Sequence, residues 1–235
     1  MKKIMLTFGL VFIFSLAMLW ANTSEKRNED GISFYKVPLV CNAAPDIGCG
    51  SRAKPVLKEF AKQKGVKEAW LNREGTVIAV VWETANNEAI ATKVFSKFNL
   101  NGTEISSSQK TDLMASFGKK GAWLKGTDVD QLSIEEAGII SEGIIMALKK
   151  ENILLPEKEV GLRSDLVNYF KKELLSITDA KQLNPKTYDR WAKQAHAIGE
   201  NHLGKGKMPE IGMNCDSNKC NIKDKKSKKS CCSKS

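Results

Sequence analysis

Apolar residues run almost unbroken from Ile4 to Trp20, recur at strand or helix spacing from Ile32 to Leu203, and nearly vanish from Lys205 onward. Within the middle region, Ile32-Ser33-Phe34-Tyr35-Lys36-Val37 is rich in β-formers and predicts a strand. Over Arg52–Lys64, Val56, Leu57, Phe60 and Ala61 share one helical face, while Lys58, Glu59, Lys62 and Lys64 fall mostly on the other. Pro55 fits the first turn of that helix, where its missing N–H costs little, and Gly65 supplies the C-terminal stop. Val66–Asn72 and Thr76–Trp82 predict a hairpin around Arg73-Glu74-Gly75. Asn87–Phe98 predicts a second helix with Ile90, Val94, Phe95 and Phe98 as its stripe, and Thr103–Ser108 a closing strand. The order β-α-β-β-α-β predicts an α+β fold, with a ferredoxin-like βαββαβ domain over residues 32–109.

From Lys110 the pattern becomes helical, and residues 110–203 read as a small helical unit. Leu113–Phe117 and Ala122-Trp123-Leu124 lie among glycines and carry no clear period. Ser133-Ile134-Glu135-Glu136 reads as a capping box opening a helix to about Lys150, with Ala137, Ile140, Ile144, Ile145 and Leu148 apolar. Further helices are predicted over Lys158–Ser176 and Pro185–Leu203. Residues 204–235 hold too little apolar surface to fold and are expected to be a disordered basic tail.

Charge changes the picture little for the folded part. The net charge is +10, but Leu203–Ser235 holds nine Lys against three acidic residues, so about +6 lies in the tail. No basic face with interleaved aromatics stands out, so a nucleic-acid partner is not expected. The tail charge suits contact with an anionic membrane, at about 1 kcal/mol per charge. At the other end, Lys2-Lys3, the apolar run and Ala21 read as an export signal over residues 1–21, cleaved or kept as an N-terminal anchor, followed by a polar spacer over 22–31. The expected location is exported, periplasmic or otherwise extracytoplasmic.

The six cysteines sit at two stations: Cys41 and Cys49 in a loop, and Cys215, Cys220, Cys231 and Cys232 in the tail. In an oxidising compartment either station accommodates disulfides. Cys49 precedes a helix and lies near Arg52 and Lys54, which predicts a lowered thiol pKa. Thiolates select soft ions such as Cu(I), Zn(II) or Hg(II). All six cysteines are candidate metal ligands, with the tail as a carrier feeding the loop. His196 and His202, and Met208 and Met213 near the first cysteine of the tail, are weaker candidates. No nucleophile elbow, phosphate loop or H-E-x-x-H occurs, so enzyme activity is not expected.

Two segments carry a family resemblance. Gly48-Cys49-Gly50-Ser51-Arg52 leads into a Lys-rich helix, and Gly65-Val66-Lys67-Glu68-Ala69-Trp70-Leu71-Asn72 looks like the G-V-x-x-V-x-V-N segment of heavy-metal-associated domains. Residues 32–108 thus resemble that family, which includes copper chaperones and periplasmic mercury-binding proteins. The family's loop is C-x-x-C; here Cys49 matches the first cysteine and Arg52 stands at the second, leaving Cys41 as the partner thiol. The resemblance implies soft-metal trafficking or detoxification, with a metal transporter or another membrane protein as partner. Two alternatives stand beside it: a thiol–disulfide redox protein using Cys41 and Cys49, and a protein-interaction module whose disulfides are structural.

Overall fold

The computed structural model describes residues 31–41, 44–84 and 86–210. The expected export signal or anchor, nearly all of the spacer, and the four tail cysteines lie outside the described residues. The described chain is α+β, with a five-stranded antiparallel sheet and six α-helices. In chain order these are β1 (Ile32–Lys36), α1 (Gly50–Ala61), β2 (Val66–Asn72), β3 (Val77–Trp82), α2 (Glu88–Lys97), β4 (Thr103–Glu104), α3 (Ser107–Ser116), β5 (Trp123–Lys125), α4 (Asp130–Lys150), α5 (Pro156–Ser176) and α6 (Pro185–Leu203). The strand order is β4-β1-β3-β2-β5, so the sheet continues past residue 110.

β3 lies at the centre of the sheet, and its side chains alternate between two cores because successive residues of a strand point to opposite faces. Ile78, Val80 and Trp82 join Phe60, Val56 and Leu57 of α1 and Val94 and Phe95 of α2 on one face. Val77 and Ala79 join Phe34, Phe117 and Trp123 on the other. Those aromatics meet edge-on, with the Phe117 and Trp123 ring centroids 5.2 Å apart. Leu113–Phe117 and Trp123, which carry no clear period, thus supply α3, the segment after it and β5, closing the second face. On β2 the register shifts between Val66 and Glu68. One extra residue there changes the phase of alternation, so Val66, Ala69 and Leu71 all reach the same core.

A third core joins α4, α5 and α6 through Ile145, Leu148, Leu162, Leu166, Phe170 and Trp191. α4 belongs to two cores. Leu132, in its first turn, is buried with the sheet and α1, whereas Ala137 to Leu148 are buried with α5 and α6. That packing corrects the expected helix start. α4 begins at Asp130 with Val129 as its N-cap, so Ser133 lies inside the helix and does not cap it. Burial of Val129 and Leu132 holds the earlier turn helical. Likewise α1 begins at Gly50, which puts Pro55 in its second turn and makes Cys49 the N-cap. No described helix is long and apolar enough to cross a membrane.

Candidate functional site

The loop between β1 and α1 is built onto the β2–β3 turn. Val37 N–H donates to Thr76 O (2.8 Å), Leu39 N–H to Gly75 O (3.0 Å) and Gly48 N–H to Arg73 O (2.7 Å). The turn is tied internally by Asn72, whose Oδ1 accepts from the N–H groups of Thr76 (2.9 Å) and Val77 (2.7 Å). Gly75 has φ +73° and sits against Gly48: a Cβ on either residue would come within 3.0 Å of the other's Cα. Two glycines are therefore what lets the loop lie this close.

Within the loop, Val40 and Gly48 form an antiparallel bridge, flanked by Cys41 N–H to Ile47 O (2.8 Å) and Cys49 N–H to Leu39 O (2.7 Å). Alternation about that bridge sends Leu39, Cys41, Ile47 and Cys49 to one face, and all four are buried. Cys41 and Cys49 are both present as thiols. They share an inward face although they stand eight positions apart in the chain.

The third member of the cluster comes from α4. Glu136 is buried, and its carboxylate accepts from Cys49 Sγ at 3.7 Å (Oε2) and 4.0 Å (Oε1). A hydrogen bond with Cys41 also acts on Glu136. Its neighbour Glu135 turns outward and takes both guanidinium nitrogens of Arg73, at 3.2 and 2.6 Å. That fork fixes α4 against the same turn that carries the cysteine loop. Gly50 completes the contact, since a Cβ there would lie 2.4 Å from Val129 O and 2.6 Å from Ser133 Oγ.

The electrostatics reverse one expectation. Burial pushes the Cys49 thiol up from 9.0 to about 12, and the neighbouring Glu136 charge pushes the same way. Ser51, whose Oγ lies 3.3 Å from Cys49 Sγ, and the backbone and charge of Arg52 pull it down by less. The helix N-terminus is present as expected, but loss of solvent outweighs it. Burial likewise lifts Glu136 from 4.5 to about 7, against the hydrogen bonds from Cys41 and Cys49 and the Arg52 charge. Burial thus favours the proton-bearing forms of both Cys49 and Glu136.

The other candidates do not meet it. His196 Nε2 lies 3.0 Å from Met208 O, and His202 Nε2 lies 2.8 Å from Asp165 Oδ2, both in the helical part. Met208 is buried with α5 and α6. Among the described residues, no three His, Cys, Asp or Glu side chains stand ready as a ligand set around an ion. Glu136 was missed as a site residue because its dipeptide reads as a helix start. The available signal was its place four residues from both Leu132 and Ile140, on the apolar stripe of α4. Comparison with known proteins finds no matching family model, no matching curated protein and no matching solved structure.

Proposed function

We propose that this chain is an exported soft-metal-binding protein, serving metal trafficking or detoxification, with the thiolates of Cys41 and Cys49 as ligands on a ferredoxin-like scaffold resembling the heavy-metal-associated domain. The observation that carries the reading is the convergence of two inward-facing thiols on one buried carboxylate. Support for the scaffold comes from the order β1-α1-β2-β3-α2-β4 with β4-β1-β3-β2 adjacent in the sheet. Burial that raises the Cys49 pKa works against metal capture and thiol exchange alike, since either needs the thiolate. Cys215, Cys220, Cys231 and Cys232 act in this proposal as auxiliary ligands that deliver metal, and a membrane transporter is the partner class.

The test is anaerobic titration of the reduced full chain with Cu(I), Zn(II) and Hg(II) against a competing chelator. Wild type is compared with Cys41→Ser, Cys49→Ser and a chain ending at Glu210. Tight binding of one ion per chain, lost in both serine variants and kept on truncation, is the expected result. Absence of competitive binding in wild type removes the proposal, and loss on truncation alone moves the site to the tail.

A further inference from the structure

We infer that the outward face of the α4–α5 hairpin is where a second copy of this chain docks, giving a two-fold dimer; the inference does not depend on the metal reading. Among the described residues, the exposed large apolar side chains are Ile139 and Met146 on α4, Leu155 at the entrance of α5 and Val160 on α5. All four belong to one hairpin, and Met146 and Val160 are 63% and 78% exposed. Ile139 and Met146 are about two helical turns apart, so they stand on one side of α4. Ion pairs across the hairpin set its register: Glu142 with Arg163, and Lys149 with Glu159 at 3.0 Å. That register brings Met146 and Val160 to the same level. Exposed apolar surface gathered in one place marks an interaction site, whereas single scattered residues do not.

The charges on that face identify the occupant. Glu142 and Lys149 lie along α4 and Arg163 and Glu159 beside them on α5, where Arg163 also holds Glu159 at 2.7 Å. The signs alternate as on a checkerboard: negative beside positive at one level, positive beside negative at the next. A two-fold rotation about an axis lying in the face, along the helices or across them, therefore sets every charge opposite one of the other sign. An isologous dimer relates two copies of one surface in this way. The square is neutral, so it offers the Lys-rich tail no net attraction, and its two carboxylates disfavour an anionic membrane. Size sets the strength. Two 21-residue helices side by side, each about 30 Å long and about 10 Å apart, present a face of roughly 600 Å². Standard interfaces bury about 800 Å² per partner, so the dimer is weak, with a dissociation constant on the order of 10 μM.

The experiment is sedimentation equilibrium of the full chain from well below to well above that concentration, under reduction so that no disulfide joins two copies. Wild type is expected to pass from monomer to dimer, and to associate less well in high salt. Met146→Glu and Val160→Glu are each expected to weaken association by about tenfold or more. Lys193→Glu, at an exposed position of α6, is expected to leave it unchanged. Lys149→Glu weakens association too, and mixing that variant with Glu142→Lys or with Glu159→Lys restores the dimer. Which of the two restores it gives the direction of the two-fold axis. Rescue needs two folded chains, so a variant that merely misfolds does not produce it. Wild type that stays monomeric throughout, association that Met146→Glu and Val160→Glu leave untouched, or failure of both mixtures to restore it overturns the proposal. So does binding of the full chain to phosphatidylserine vesicles that Val160→Glu abolishes, since the face then serves a membrane.

Discussion

At the scale of single residues, Glu136 and Cys49 set a pH dependence whose sign is opposite to that of an ordinary surface carboxylate. Glu136 is lifted from 4.5 to about 7 in the folded chain. Between those values the folded state keeps a proton that the unfolded state releases, so stability is full below about pH 4.5 and falls as pH rises through 7. The shift corresponds to a loss of about 3 kcal/mol at most. Cys49, lifted from 9.0 to about 12, adds a further loss of the same sign above pH 9. Urea unfolding of reduced, metal-free protein is expected to show lower stability at pH 8 than at pH 5, and Glu136→Gln should flatten the difference. Stability that rises over this window, or a slope unchanged in Glu136→Gln, contradicts the assignment.

At the scale of elements, the contact between the first turn of α1 and the first turn of α4 decides whether the site forms. Gly50 touches Val129 O and Ser133 Oγ so closely that any side chain forces the helices apart. Gly50→Ala is therefore expected to destabilise the protein by about 1–3 kcal/mol, the range for overpacking, by pushing the first turns of α1 and α4 apart. Gly143 offers the control: it lies inside α4 with open space around its Cα. Gly143→Ala should stabilise by about 0.5–1 kcal/mol through helix propensity and chain entropy. Thermal melts of both variants separate a helix-wide effect from one local to the contact. A Gly50→Ala protein as stable as wild type would show that the α1–α4 contact is looser than described.

At the scale of the whole molecule, α4 ties the sheet to the helical core, and two ion pairs reinforce the tie. Arg73 holds Glu135 on one side, and Lys54, buried on α1, reaches Asp130 at 2.7 Å on the other. Lys54 Nζ also lies 3.5 Å from Leu175 O at the end of α5. Losing Lys54 strands a half-buried Asp130, so Lys54→Ala should cost about 1–3 kcal/mol. Because α4 spans both cores, that loss is expected to lower one cooperative transition followed by tryptophan fluorescence and by far-UV circular dichroism. Separate transitions by the two probes would mean that sheet and helical core unfold independently.

The sequence by itself determined most of the local structure. Period-two and helical patterns gave the β2–β3 hairpin, α1, α2, α5 and α6, because these elements bury one face and the pattern records which. It also picked out Cys41 and Cys49 as a pair, since glycines, a proline and a helix start surround them. Tertiary structure alone decided the rest. Leu113–Phe117 and Trp123 have no periodic signature, yet they form α3 and β5 because the second face of the sheet must be covered. The pKa of Cys49 follows from burial under α4, which outweighs the helix end and Arg52 that the sequence displays. Glu136 joins the site only through packing, across 87 residues from Cys49. Spacing along a chain records neighbours within an element, and a contact at that separation arises only when two elements are pressed together.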